Sequence, residues 1–140
     1  MTSATTYDAN LVRDHFRAKA EAYISPMGVK ALLDRGAQEA IVVDVRIGPP
    51  DLLKTKIPGA LELPEPSVAA RWVELPREKL IVLYCWDTWC GLATSAALVL
   101  LDKGYQVKEL YGGTKAWKTL RLPEAPVDGA SVPSPGPKRV

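Results

Sequence analysis

This chain of 140 residues has few of the residues that indicate a disulfide scaffold or a metal site. It contains two cysteines, one histidine and one phenylalanine. Two cysteines are too few for a disulfide scaffold. The single histidine, His15, is far from both cysteines in sequence, so normal zinc-ligand spacing is missing and no metal site is expected. The net charge of +2 gives no electrostatic support for nucleic-acid binding.

Long apolar runs are also missing. No stretch approaches the ~20 consecutive apolar residues that a membrane-spanning helix requires. The first eight residues lack the basic start and apolar centre of a secretory signal. Apolar residues make up 47% of the chain and charged residues 24%, which is typical of a globular domain. Together these observations predict a cytoplasmic protein with reduced thiols and with neither a membrane nor a nucleic-acid partner.

Apolar periodicity divides the chain into alternating helices and strands. Capping signals and helical spacing predict helices over residues 8–21, 26–35, 67–75, 92–103 and 114–120, with Ser25 and Thr114 as caps. Short apolar runs predict strands over residues 23–25, 40–46, 61–63, 79–84 and 106–110. Because strands alternate with helices, the predicted fold class is α/β with a mostly parallel central sheet.

The most informative feature is a cysteine at the end of a buried strand. Cys85 follows the apolar run 80–84 and opens a short loop, from which the predicted helix starts at Leu92. The N–H groups of such a loop and the positive end of the helix dipole stabilise an anion, so they favour the thiolate of Cys85. A thiolate is a nucleophile, whereas a buried thiol is inert. Cys85 is therefore the candidate catalytic residue, and the alternative is a small core residue.

The loop after Cys85 supplies candidate substrate-binding groups. None of its residues is proline, so their N–H groups can surround a charged sulfur atom. Trp86 and Trp89 are candidate pocket walls, or alternatively core or interface anchors. Thr88 offers a hydroxyl donor, and Asp87 would repel an anionic donor. The candidate residues are Trp86, Asp87, Thr88, Trp89, Cys90, Gly91 and Leu92.

Cys90 offers a second chemistry within the same loop. Two cysteines separated by four residues can approach the ~5.5 Å Cα separation of a disulfide. Cys90 would then resolve a persulfide or sulfenate on Cys85 and close a disulfide. An inert packing role for Cys90 is the alternative.

Several segments, in order, resemble the rhodanese-like domains. They are Val42-Val43-Asp44-Val45-Arg46, Lys56-Ile57-Pro58-Gly59-Ala60-Leu61, Leu83-Tyr84-Cys85, and Gly104-Tyr105 followed by Leu110-Tyr111-Gly112-Gly113 with Trp117. The resemblance covers about residues 24–123, and the order and spacing of the motifs are specific together. It implies a rhodanese-like fold with helices on both faces of the sheet, in which the strand-end cysteine carries a persulfide.

The resemblance also implies a sulfurtransferase. Cys85 would take sulfane sulfur from a small thiol persulfide or thiosulfate and pass it to a nucleophilic acceptor or a protein sulfur carrier. No cofactor is expected, because the intermediate is a covalent persulfide on Cys85. Asp44 and Arg46 are supporting residues, expected to tie strand ends together as a buried pair. The alternatives are a catalytically weak binding or regulatory module, and a Cys85/Cys90 thiol–disulfide switch.

The loop departs from the common form of the family. It contains no arginine or lysine, and it resembles a bacterial subgroup with a Cys-x4-Cys loop. The missing cation argues against thiosulfate as the preferred donor and against the phosphatases built on this fold. Lys56, where the family usually has histidine, is either a solvated side chain or the source of the missing cation.

The resemblance suggests three segments. Residues 1–22 form an N-terminal helical extension, residues 23–123 the rhodanese-like domain, and residues 124–140 a tail rich in proline and glycine that is expected to be disordered. The first helix is a candidate contact for a partner or a second copy, and a monomer or weak homodimer is expected.

Overall fold

A five-stranded sheet carries the loop that contains both cysteines. The computed structural model describes residues 6–36 and 38–128. In spatial order the strands are β1 (Tyr23–Ile24), β6 (Val107–Leu110), β5 (Leu80–Tyr84), β2 (Ala40–Asp44) and β4 (Leu61–Glu62), and every pairing is parallel. β2 and β5 lie at the centre because their continuous apolar runs suit burial on both faces. The predicted parallel α/β sheet is confirmed.

Helices cover both faces of this sheet. They are α1 (Ala9–Ala22), α2 (Pro26–Asp34), α3 (Glu65–Arg71), α4 (Leu92–Asp102) and α5 (Gly113–Thr119). On one face, α3 and α4 pack against Val43 and Leu83. On the other face, α2 and α5 pack against Val42 and Val82. Successive strand residues point to opposite faces, so β2 and β5 each contribute to both cores.

The local signals place most helix starts correctly. The Asp8 carboxylate accepts the N–H groups of Asn10 and Leu11, and the Ser25 hydroxyl oxygen accepts that of Gly28. The predicted helix over residues 67–75 is instead α3 followed by a 3₁₀ turn over residues 72–74.

In the described residues no helix combines the length and apolar character needed to cross a membrane.

The start of the predicted disordered tail is ordered. β7 (Ala125–Pro126) pairs antiparallel with β3 (Thr55–Lys56), and the Val127 N–H donates to the Lys54 carbonyl over 3.0 Å. These contacts are non-local, so composition alone does not reveal them. Residues 129–140 of that prediction lie outside the described part of the chain.

Lys56 is a buried structural residue. Its Nζ donates to the Ala60 carbonyl over 2.8 Å, to Glu62 Oε2 over 3.0 Å and to Asp128 Oδ1 over 3.2 Å. Burial disfavours the ammonium ion, but hydrogen bonds to Glu62 and Asp128 outweigh it and raise the pKa of Lys56. Both expected roles of Lys56 are therefore wrong: it is not solvated, and it is bound away from the cysteine loop.

Two consecutive glycines dock α5 against the cysteine loop. The Thr114 N–H donates to the Cys85 carbonyl and the Lys115 N–H to the Trp86 carbonyl, each over 2.9 Å. A Cβ at Gly113 would lie 2.5 Å from the Cys85 carbonyl oxygen, so only glycine permits this approach. Gly112, not Thr114, is the N-cap residue, and the Thr114 hydroxyl instead donates to the Cys85 carbonyl. The predicted Thr114 cap is therefore wrong.

We expect Gly113→Ala to destabilise the fold more than a matched glycine substitution. Gly113 has φ +56° and Gly36 has φ +59°, but no described atom lies within 4 Å of a Cβ placed at Gly36. Gly36→Ala should therefore lower the free energy of unfolding only by the cost of a left-handed backbone at a non-glycine residue, about 1–2 kcal/mol. Gly113→Ala should cost about 2 kcal/mol more, because the loop carbonyl must move. Urea unfolding measures both, and equal losses would contradict the docking argument.

A second prediction concerns Lys56. Lys56→Met should lower the free energy of unfolding by about 1–3 kcal/mol, because the Ala60 carbonyl and two carboxylates lose their donor. The control Lys30→Met removes a more exposed pair with Asp34 and should cost less than about 1 kcal/mol. Since the folded-state pKa of Lys56 is raised, its contribution is present at neutral pH and lost only as the pH rises through that raised value. Chemical denaturation at pH 7 tests the difference.

Candidate functional site

The carboxyl ends of the two central strands form one edge of the sheet. Asp44, the last residue of β2, lies in register with Tyr84, the last residue of β5. Cys85 follows directly, and the chain after β2 continues through Arg46 beside it. Ligand sites of open parallel sheets lie at this edge. The adjacency of β2 and β5 thus brings the predicted catalytic and supporting residues together.

A buried polar network supports this edge. Arg46 Nε donates to Asp44 Oδ1 over 2.9 Å and Nη2 to Oδ2 over 2.7 Å, while Nη2 also donates to the Thr55 carbonyl. The Tyr84 hydroxyl donates to Asp44 Oδ2 over 2.8 Å and accepts the Ile57 N–H.

Burial opposes the charge on Arg46, but pairing with Asp44 outweighs it and raises the pKa of Arg46. Burial, and then the Asp44 charge, raise the pKa of Tyr84 well above its usual value. Arg46 therefore stays charged and Tyr84 neutral near pH 7, and the network acts as a fixed support.

Trp86 is held on top of that network. The Arg46 guanidinium lies 4.8 Å from the centroid of the indole, within cation–π range. The indole Nε1 donates to the Ile47 carbonyl over 2.9 Å. Trp89, three residues further, is 74% exposed. One tryptophan is therefore anchored and the other is presented to solvent.

Cys85 and Cys90 form a disulfide in this structure. Their Cα atoms are 6.4 Å apart, and the loop between them turns through a hydrogen bond from the Cys90 N–H to the Asp87 carbonyl. Only 3% of Cys85 and 9% of Cys90 is exposed. The fold thus brings both candidate sulfur atoms together, in an oxidised state in which neither is a nucleophile.

The loop retains N–H groups for an anion. Thr88 uses both its N–H and its hydroxyl on Asp87 Oδ1, over 2.6 and 3.3 Å, so this hydroxyl is already engaged. Within the described residues, no protein acceptor is found for the N–H groups of Trp86, Asp87, Trp89, Gly91 and Leu92. α4 begins without a side-chain cap, because its N-cap residue is Gly91. These amides and the α4 dipole can stabilise negative charge on sulfur.

A cleft of about 630 Å³ lies beside the loop. Trp86 and Trp89 line it, together with three lysines, Lys54, Lys115 and Lys118, that come from outside the loop. Lys56 was the one residue outside the loop that the sequence offered as a source of the missing cation, and these three lysines were not predicted. Lys115 directly follows the Gly-Gly-Thr turn that docks on the loop, which is the one local signal that could have indicated its position.

A family model and two curated proteins match this chain. The family model described as "Rhodanese-like domain" matches residues 25–120. A protein from Allochromatium vinosum named a sulfurtransferase is 31% identical over 93 residues, which cover 66% of this chain and 84% of that protein. An HTH-type transcriptional regulator from Mycobacterium tuberculosis is 37% identical over 90 residues, 64% of this chain. The match covers only 39% of the regulator's length.

Solved structures share the same fold. A full-length protein from Lactobacillus plantarum is 30% identical, with a TM-score of 0.79 over 84% of this chain and 98% of that chain. The BH2092 protein from Bacillus halodurans is 28% identical, with a TM-score of 0.75 over 84% of this chain and 86% of that chain. The predicted resemblance over residues 24–123 agrees with the matched range. The chain belongs to the rhodanese-like domain family.

Proposed function

We propose that this protein is a sulfurtransferase that carries sulfane sulfur as a persulfide on Cys85. The supporting observation is the position of Cys85 at the carboxyl end of β5, directly before a loop with unpaired N–H groups and the uncapped start of α4. Membership of the rhodanese-like family and the relative named a sulfurtransferase support the same class of activity.

The reaction begins from the reduced loop. The Cys85 thiolate attacks the outer sulfur of a persulfide R–S–SH, the S–S bond breaks, and R–S⁻ leaves. Cys85 then carries the transferred sulfur as Cys85–S–SH. A nucleophilic acceptor attacks this terminal sulfur and regenerates the Cys85 thiolate, which gives two-step kinetics without net oxidation. The unpaired amides of the loop would stabilise the persulfide anion, as an oxyanion hole stabilises oxygen.

Cys90 gives the persulfide a second outcome. If the Cys90 thiolate attacks Cys85 Sγ, the terminal sulfur leaves as HS⁻ and the Cys85–Cys90 disulfide closes. The sulfane sulfur is reduced in this step and the two thiols are oxidised. An external thiol must then reduce the disulfide before another cycle. This chemistry would distinguish the Cys-x4-Cys loop from single-cysteine loops, and it requires a reducing compartment such as the cytoplasm.

Mass spectrometry tests the persulfide directly. Reduced protein exposed to glutathione persulfide or to thiosulfate should gain one sulfur, about 32 Da. Cys85→Ser should abolish this gain, whereas Cys90→Ser should retain it, because only Cys85 lies at the end of the strand. A mass loss of about 2 Da in the wild-type protein would instead indicate closure of the disulfide.

The outcomes separate sulfur transfer from its alternatives. Equal loss of transfer in Cys85→Ser and Cys90→Ser would contradict a single carrier cysteine and support a thiol–disulfide switch. No mass change with any donor, in folded and reduced protein, would overturn the sulfurtransferase and leave a binding or regulatory module.

A further prediction concerns the reductant. Oxidised wild-type protein should transfer no sulfur until a reductant opens the Cys85–Cys90 disulfide, because Cys85 Sγ is then bonded and buried. Cys90→Ser should transfer sulfur without that reductant. Steady-state assays with and without reductant measure this, and equal activity of oxidised and reduced wild-type protein would contradict the assignment of Cys85.

A further inference from the structure

A second groove, here called the edge groove, lies where α1 and α4 approach the β1–β6 edge of the sheet. It encloses about 630 Å³ and shares no lining residue with the cleft beside the cysteine loop. α1 contributes Ala18 and Ala22, α4 contributes Leu98 and Leu101, and β6 contributes Val107. The lining is mainly apolar, and 61% of Leu98 and 53% of Leu101 are exposed. Such a groove can bind the apolar face of a helix.

The helix α1 leaves its large apolar side chains in solvent. None of its residues is buried, and 67% of Leu11 and 59% of Phe16 are exposed. Near the C-terminus of α1, the ammonium group of Lys108 donates to the carbonyls of Ala20 and Glu21, over 3.0 and 2.7 Å, and ties the helix to β6. A helix with an apolar stripe normally buries that stripe against another element. α1 is therefore held to the domain at one end and carries apolar surface that a single copy does not cover.

Basic and apolar residues share one side of α1. The spacing i, i+4, i+7 and i+11 relates Ala9, Arg13, Phe16 and Ala20. Residues at this spacing lie along one side of a helix, and Arg17 borders them one turn after Arg13. Within residues 6–36 and 38–128, neither arginine forms an ion pair. This side of α1 therefore presents an aromatic ring and two positive charges.

The edge groove carries the opposite charge. Its charged lining residues are Glu21, Lys108 and Glu109, so two carboxylates and one ammonium group give a net charge of −1. Neither carboxylate forms an ion pair within the described part of the chain. Burial raises the pKa of Glu109 and outweighs the hydrogen bond that its Oε1 accepts from the Thr94 hydroxyl over 3.1 Å. A cation placed beside Glu109 would compensate its partly buried negative charge.

One chain thus carries both an apolar, acidic groove and an apolar, basic helix side. We propose that the chain forms a homodimer with two-fold symmetry, in which α1 of each copy lies in the edge groove of the other. Phe16 of one copy packs against Leu98 of the second copy. Arg13 and Arg17 pair with Glu109 of the second copy. A two-fold pair covers both surfaces of both copies at once, so the assembly closes without leaving a groove or a helix side exposed.

The two-fold axis also makes the two α1 helices antiparallel neighbours. A second side of α1 contains Leu11, Ala18 and Ala22, at the spacing i, i+7 and i+11, and both alanines line the edge groove. In the antiparallel pair, Leu11 of one copy lies opposite Ala18 of the other, where the small side chain of alanine leaves room for the leucine. Both large apolar side chains that α1 exposes, Leu11 and Phe16, are then buried in the dimer.

Exchanging the charges tests this contact. Arg13→Glu/Arg17→Glu and Glu109→Lys should each weaken self-association of the full chain at least about tenfold, because each brings like charges together at both contacts. An equal mixture of the two variants should associate within about threefold of the wild-type affinity, because both contacts of the mixed dimer again join opposite charges. Sedimentation equilibrium under reducing conditions measures these dissociation constants. A mixture that associates no better than either variant alone would overturn the proposed contact.

An apolar substitution with a matched control completes the test. Phe16→Ser should weaken self-association at least about tenfold, because the ring no longer fills the groove of the second copy. Val73 is 67% exposed and does not line the edge groove, so Val73→Ser should leave the dissociation constant unchanged. Circular dichroism and urea unfolding check that each variant is folded. Equal effects of the two substitutions would overturn the proposal, as would wild-type protein that remains monomeric at about 1 mM.

Discussion

The arrangement of the site depends on the contact between the start of α5 and the cysteine loop. The N–H groups of Thr114 and Lys115 bind the carbonyls of Cys85 and Trp86, and Gly113 permits this because a Cβ would collide with the Cys85 carbonyl. This contact determines where the loop leaves β5. It also places α5, and hence Lys115, beside the tryptophans, so this backbone contact determines both the position of Cys85 and the composition of the adjacent cleft.

A second constraint comes from the buried charges beneath the loop. The Asp44–Arg46 pair is hydrogen-bonded in a bidentate manner and is completed by Tyr84, so its desolvation is compensated. Arg46 also underlies the indole of Trp86. The result is a hydrogen-bonded support on which the cysteine loop and the Trp86 wall of the cleft rest.

Much of the fold could be predicted from local patterns. Continuous apolar runs located β2 and β5, and the Asp8 and Ser25 side chains located the starts of two helices. Two of the errors have a physical cause in a contact that is distant in sequence. Thr114 has a good capping side chain, but its hydroxyl donates to the Cys85 carbonyl, and Gly112 is the N-cap residue of α5. The tail was expected to be disordered from its composition, yet Ala125 and Pro126 pair with β3.

The sequence by itself determined the class of fold and the strand that ends at Cys85, because the spacing of apolar residues and the helix-capping side chains are local properties. It also determined that Cys85 can bond to Cys90, because both lie in one six-residue Cys-x4-Cys segment. Only the tertiary structure decided the charge of the site. Lys54 and Lys115 stand 61 residues apart in sequence and meet at one cleft, whereas Lys56, one candidate for the missing cation, is bound by Glu62 and Asp128. Chain folding sets these distances, and electrostatic function depends on distance rather than on position in the sequence.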